Sequence, residues 1–89
     1  MSSSPDAGHA ETVTVRYWAG ARAAAGVEHD VVPGVRTVDE LVGTLLATRP
    51  GLESVLPVCS VLVGGRASRG DDPVPAGAVV EVLPPFAGG

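Results

Sequence analysis

The first part of the chain alternates between apolar and polar residues, which is the pattern of a half-buried β-strand. In residues 11–19, one side of the pattern carries Val13, Val15 and Tyr17, and the other carries mostly polar residues together with Trp18. The β-branched and aromatic content favours a strand here. We therefore expect a strand with three inward side chains, and we expect Trp18 to be partly buried.

Residues 20–26 are rich in alanine and bounded by glycines, which predicts a single helical turn or a loop. Arg22 lies within them, and we interpret it as a solvated side chain. Residues 27–32 alternate again and predict the second strand of a hairpin. On its apolar parity we place Val27, His29 and Val31. We thus expect His29 to be partly buried and structural, not catalytic.

The middle of the chain carries the clearest helix signal. Thr37 followed three residues later by Glu40 is a capping-box pattern, and acidic residues in a first turn suit the helix dipole. The apolar residues that follow recur at helical spacing: Val38, Leu41, Val42, Leu45 and Leu46. Pro50 ends the pattern just after Arg49. A helix over residues 38–49, packed on the sheet, is predicted.

Beyond the helix, residues 52–57 read as a short irregular link. The apolar run 58–63 predicts a buried strand, and we interpret Cys59 within it as a buried structural thiol because no His or Lys neighbours it in sequence. Gly64-Gly65 is a two-residue hairpin signal, so a short return strand is expected over residues 66–69.

A last alternating run over residues 78–83 completes the pattern, with Val80 and Val82 on one side. The order of elements predicts an α+β domain, with a mixed sheet of four to five strands packed on one main helix. We expect a disordered leader over residues 1–10, the folded domain over 11–83 and a flexible tail over 84–89.

The tail has an unusual composition. Pro84 and Pro85 remove two backbone donors, so the chain cannot continue there as a paired central strand. Gly88 and Gly89 follow and carry no side chains. With Gly89 as the last residue, its free carboxylate could be carried roughly 20 Å from the domain at about 3.3–3.6 Å per residue. A frayed end is the alternative interpretation.

Composition excludes several classes of protein. The chain has a net charge of −4, and its six basic residues are all arginine, which argues against nucleic-acid binding and a polybasic membrane anchor. One cysteine allows no internal disulfide. No apolar run is long enough to span a membrane, and no signal peptide is visible. These features predict a cytoplasmic protein. No metal site is expected, since no partners cluster near His9 in sequence.

Three stretches together resemble the small subunits of molybdopterin synthase, which are ubiquitin-like (β-grasp) sulfur carriers of the MoaD/ThiS type. They are the first strand from Val13 to Ala19 with Arg22 and Gly26, the hairpin Val61-Leu62-Val63-Gly64-Gly65, and the end of the chain from Gly77 to Gly89. The chain departs from that family at Gly64, where Asn is usual, at Ala78-Val79, where an acidic pair is usual, and at Trp18, where Phe is usual.

The resemblance implies that Gly89 is the reacting residue. An ATP-using adenylyltransferase of the ubiquitin-activating type would adenylate its carboxylate, and a sulfur donor protein would convert it to a thiocarboxylate. The tail would then enter the large subunit of molybdopterin synthase, which would supply the catalytic side chains. The implied partner-binding residues are Pro84, Pro85, Phe86, Ala87 and Gly88.

Three other functions stay open at this point. A related sulfur carrier could serve cysteine or thiamine synthesis. A ubiquitin-like modifier could conjugate to other proteins. A non-catalytic binding module could carry the tail incidentally, with Phe86 packed locally against the last strand. An independent enzyme is disfavoured, since no nucleophile, base and orienting group stand close together in sequence.

Overall fold

The computed structural model describes residues 12–85. The predictions for the leader and for Phe86 to Gly89 lie outside this range. The elements follow in the order β1 (Thr12–Tyr17), α1 (Ala19–Ala25), β2 (His29–Pro33), α2 (Val38–Thr48), two short 3-10 helices (Pro50–Ser54 and Leu56–Val58), β3 (Ser60–Val63), β4 (Arg66–Ser68) and β5 (Val79–Leu83).

One mixed sheet has the strand order β2-β1-β5-β3-β4. Strands β1 and β5 are parallel, and the other neighbouring pairs are antiparallel. The parallel pair places the last strand beside the first in the middle of the sheet, as a crossover through a helix requires. The predicted α+β class and the mixed sheet of five strands on one main helix are confirmed.

Helix α2 begins as its sequence predicts. The Thr37 hydroxyl accepts a hydrogen bond from the amide of Glu40 at 3.2 Å. The Glu40 carboxylate reaches back to accept one from the amide of Arg36 at 2.8 Å. The first bond satisfies an amide of the first turn that has no partner within the helix, and the second ties the residue before the cap to that turn. The helix then buries Val38, Leu41 and Leu45 against the inner face of the sheet.

The inner face of the two central strands is apolar and buried. Val13, Val15 and Tyr17 from β1 are buried together with Val80 and Val82 from β5. The parities predicted for the first and last strands are therefore confirmed. Burial of side chains of this size contributes about 1.5–3 kcal/mol each, which makes the inner face the main source of stability.

The parity predicted for β2 is wrong. Val13 pairs with Val32, and Val15 pairs with Asp30, so the inward residues of β2 are Asp30 and Val32. Val32 is 4% exposed, whereas Val31 is 59% exposed. His29 is exposed on the outer side, not partly buried. The sequence is ambiguous because both parities of this short strand contain valine.

The segment predicted as a single helical turn or a loop and the segment predicted as an irregular link are both more regular than expected. Residues 19–25 form a helix of seven residues, which ends at Gly26 in the left-handed conformation (φ 83°). The two 3-10 helices bury Leu52 and Leu56 in the core. Gly51 must lack a side chain, since a Cβ there would collide with the backbone oxygen of Ala24. This close approach lets α1 pack on the first 3-10 helix.

The β3–β4 hairpin turns at Gly64-Gly65, as predicted. Both glycines have positive φ (58° and 83°), the backbone conformation that a two-residue hairpin turn requires. Strand β3 is half-buried along most of its length, less than predicted. Cys59, just before it, is also half-buried, and its thiol donates to the carbonyl of Val55 at 3.2 Å.

Candidate functional site

The candidate site is the root of the tail, where the chain leaves β5. Of the predicted partner-binding residues, Pro84 and Pro85 belong to the described part of the chain, whereas Phe86, Ala87, Gly88 and Gly89 lie outside it. Pro84 is half-buried and Pro85 is exposed. Because β5 lies between β1 and β3, the tail leaves from the centre of the sheet and not from its edge.

The corner between β1 and α1 braces this root. The amide of Trp18 donates to the carbonyl of Val82 at 3.1 Å, which extends the β1–β5 pairing to within two residues of Pro84. Gly20 lies beside Pro84, and a methyl group placed on Gly20 would be 3.9 Å from the Pro84 Cγ. Ala19 between them has φ 48°, a left-handed conformation that is uncommon for a residue with a Cβ. The sharp corner thereby brings both neighbours of Ala19 against the tail root.

A polar network holds the same end of β1 from the inner side. The Tyr17 hydroxyl donates to Asp30 Oδ2 at 2.7 Å. The Arg49 guanidinium donates to both oxygens of the same carboxylate, from Nε to Oδ2 at 3.0 Å and from Nη2 to Oδ1 at 2.7 Å. The network joins β1, β2 and the residue that follows α2. It orients Tyr17, which is paired with Val82 in the register of β1 and β5.

The network shifts the pKa values of its members. The hydrogen bond from Arg49 lowers the pKa of Asp30, burial opposes this change, and the Tyr17 hydroxyl adds to it. Burial, followed by the hydrogen bond to Asp30, raises the pKa of Tyr17 well above its usual range. Asp30 is therefore an ionised acceptor and Tyr17 a neutral donor at neutral pH. These states suit a structural role and not proton transfer.

We expect the stability that Asp30 contributes to be lost in acid. Its pKa in the folded state lies below the ordinary value of 3.8, so the contribution is fully present above that value. It disappears as the pH falls through the folded-state pKa. Urea unfolding of wild type and Asp30→Asn between neutral and strongly acidic pH should show the stability difference shrinking in acid. Asp71→Asn, a matched change at an exposed carboxylate, should show a smaller difference throughout. A pH-independent difference for Asp30→Asn would contradict the role assigned to its charge.

The structure also bears on Cys59 and on a possible metal site. Burial raises the pKa of the Cys59 thiol, which disfavours a nucleophilic thiolate. Residues 12–85 contain no group of three His, Cys, Asp or Glu side chains that could hold a metal ion. Within the same residues, no helix has the length and apolarity needed to cross a membrane.

Sequence reasoning missed the Tyr17, Asp30 and Arg49 network. Its members come from three parts of the chain that are distant in sequence. A pattern of residue spacing within one segment therefore could not predict that they meet. The one available signal was an arginine at the end of a helix, which is equally typical of a solvated side chain that complements the helix dipole. Arg22 is exposed, as predicted. Trp18 was expected to be partly buried, but it is 38% exposed and is one of the exposed large apolar side chains of the described residues.

Comparison with known proteins agrees with this architecture. A model of the ThiS family matches residues 15–89. The chain therefore belongs to the ThiS family, within the MoaD/ThiS superfamily of ubiquitin-like sulfur carriers. No curated protein sequence matches it at a significant level.

Solved structures place it among ubiquitin-like proteins of the β-grasp fold. One is the complex of subunits 1 and 2 of molybdopterin-converting factor from Helicobacter pylori (25% identity, TM-score 0.67, covering 88% of this chain and 99% of that chain). Another is the HVO 2177 protein of Haloferax volcanii (27% identity, TM-score 0.71, covering 89% and 87%). The small archaeal modifier protein 1 of H. volcanii has 23% identity and a TM-score of 0.76 over 85% and 99%, and this similarity concerns the fold alone.

Proposed function

We propose that this chain is a sulfur carrier whose Gly89 carboxylate is adenylated and then converted to a thiocarboxylate that donates sulfur in molybdopterin biosynthesis. The observation that carries the proposal is the family match, which extends through the tail to residue 89. The tail root supports it, because Pro84 leaves the centre of the sheet braced by Trp18 and Gly20. Gly88 and Gly89 have no side chains, so a tail that ends in them is suited to entering a narrow cleft.

The chemistry follows from the weakness of a carboxylate as an electrophile. The Gly89 carboxylate attacks the α-phosphorus of ATP and displaces pyrophosphate, which gives an acyl adenylate. A sulfide-level sulfur delivered by a donor protein attacks the carbonyl carbon, and AMP leaves. The product is a thiocarboxylate whose sulfur can be passed on. In this scheme the chain binds no cofactor itself, and ATP is used by the activating partner in the cytoplasm.

The proposed partners are an adenylyltransferase of the ubiquitin-activating type, a sulfur donor protein and the large subunit of molybdopterin synthase. The H. pylori neighbour supports the last of these, since that protein was solved as a complex of subunits 1 and 2 of molybdopterin-converting factor. The partners would supply the catalytic side chains. This chain would supply the reacting carbonyl and its position.

The ThiS family match also favours a second candidate, a sulfur carrier for thiamine synthesis. Both candidates share the thiocarboxylate and differ in the acceptor of the sulfur. Deletion of the gene separates them, because the molybdopterin carrier predicts loss of molybdenum-enzyme activity without a thiamine requirement. A thiamine requirement would favour the second candidate.

The direct test is the intact mass of the protein. After incubation with ATP, the activating enzyme and the sulfur donor, the protein should gain the mass difference between sulfur and oxygen, and fragmentation should place this gain at Gly89. A reaction without ATP is the control and should leave the mass unchanged. An unchanged mass in the complete reaction, with an activating enzyme that is active on its own carrier, would remove the proposal.

A further inference from the structure

The chain turns sharply between β1 and α1, and Ala19 makes the turn. Among the described residues, Ala19 is the one residue with a side chain whose φ is positive (48°). This left-handed conformation places the Cβ of an L-residue too close to the following carbonyl oxygen, a cost in free energy that glycine would avoid. We infer that the strained backbone of Ala19 positions the tail for its reaction, an inference that rests on the proposed sulfur-carrier function.

Contacts on both sides of Ala19 impose this conformation. Before it, the Trp18 amide donates to the carbonyl of Val82 at 3.1 Å, so the end of β1 is held beside β5. After it, Ala21 and Ala25 are buried in the core, which fixes the direction of α1. Since both sides are fixed, a single residue has to redirect the chain from the strand into the helix.

Helix α1 is not free to shift and relieve the strain, because it lies directly on the first 3-10 helix. The Ala24 carbonyl oxygen is so close to Gly51 that a Cβ on Gly51 would collide with it. The Trp18 carbonyl also accepts from the amide of Ala21 at 2.9 Å, which closes the first turn of α1 immediately after the corner. The strain at Ala19 is therefore maintained by the packing around it.

The corner reaches the tail root through Gly20. Pro84 has no amide hydrogen to donate to a neighbouring strand, so packing has to set its direction. Gly20 lies beside it, and a Cβ on Gly20 would be in ordinary van der Waals contact with the Pro84 Cγ at 3.9 Å. Because Gly20 directly follows Ala19, the left-handed turn decides where α1 begins relative to Pro84.

An alanine makes this corner stiffer than a glycine would. In the left-handed region alanine has one small allowed well, whereas glycine adopts left- and right-handed conformations about equally. A stiff corner restricts the directions in which Pro84 leaves the sheet and so the space that the end of the chain samples. This restriction raises the effective concentration of the Gly89 carboxylate in a partner's active site. The effect should act on KM and not on kcat, because the proposed catalytic side chains belong to the partner.

The test is Ala19→Gly in the full-length protein, which should change stability and reaction in opposite directions. Release of the strain should raise the urea unfolding midpoint. The same change should raise the KM of the carrier for ATP-dependent adenylation about three-fold or more, with kcat within about two-fold of wild type. Ala47→Gly is the matched control, because Ala47 is exposed within α2. It should lower the midpoint and leave the KM within about two-fold of wild type.

A second variant, Ala19→Asn, separates the left-handed conformation from the freedom of glycine. Asparagine carries a Cβ and tolerates the left-handed region better than alanine does. Position 19 is exposed, so the larger side chain can be accommodated. Ala19→Asn should therefore raise the urea midpoint while its KM stays within about two-fold of wild type.

Hydrogen exchange measures the corner without any reaction. Relative to the Val15 amide in the same strand, the Trp18 amide should exchange faster in Ala19→Gly than in wild type, and Ala47→Gly should leave this ratio unchanged. A lower midpoint, an unchanged KM or an unchanged exchange ratio for Ala19→Gly would each overturn the positioning role. If wild type is never adenylated, the proposed function fails, and the exchange ratio still decides whether Ala19 holds the tail root.

Discussion

Removal of Gly88 and Gly89 is expected to abolish thiocarboxylate formation, with a loss of at least about 10³-fold in sulfur transfer, because the reacting carbonyl is no longer positioned in the partner's active site. The folded domain should be unaffected, since its core is built from residues between Val13 and Val82. Intact mass after the complete activation reaction measures the first expectation. The urea unfolding midpoint measures the second.

A matched control is a deletion of Ser2 and Ser3, which shortens the other end of the chain by the same number of residues. It should retain full sulfur transfer. Gly88→Val tests the reason for the glycines, because it keeps the length and the carboxylate and adds one branched side chain. A protein lacking Gly88 and Gly89 that still supports sulfur transfer would show that the tail is incidental and would favour a binding module.

The second large effect concerns stability. Leu52→Ala should lower the free energy of unfolding by about 2–5 kcal/mol, because this fully buried side chain would leave a cavity between the first 3-10 helix and the core. A small domain has a total stability of only about 5–15 kcal/mol, so this is a large fraction of it. Urea unfolding at neutral pH measures the change.

Val58→Ala is the control for Leu52→Ala. Val58 lies in the second 3-10 helix but is 61% exposed, so its truncation should change the free energy of unfolding by less than about 0.5 kcal/mol. Similar losses for the two variants would mean that the segment after α2 contributes through its backbone and not through the burial of Leu52. That result would contradict the packing described for this part of the core.

Helix α1 and the 3-10 helices after α2 show why the sequence did not predict every helical segment. Residues 19–25 hold mostly alanine and glycine, so they carry no apolar stripe that would report a helix. The segment exists because Ala21 and Ala25 pack into the core and Gly51 allows close approach to Ala24. In the same way, Leu52 and Leu56 are only two apolar residues near prolines, so they show no helical periodicity. Their burial in the core becomes visible only in the tertiary structure.

The β2 strand shows a different limit. Each of its two parities contains one valine, and the two charged residues Glu28 and Asp30 led the sequence prediction to the wrong one. The choice is made by Asp30, whose carboxylate is bound by Tyr17 and Arg49 on the inner side of the sheet. A charged residue was the last candidate for an inward position from sequence, because the partners that stabilise it there come from other elements.

Sequence alone determined the features that depend on neighbouring residues. Alternation defined β1 and β5, helical spacing and the Thr37 cap defined α2, and the glycine pair defined the β3–β4 turn, since these are governed by local backbone geometry. The tertiary structure decided which side of β2 faces the core, how Arg49 is used and where Trp18 and Gly20 lie relative to the tail root. Those outcomes depend on strand register and on contacts between distant elements, which no local pattern encodes.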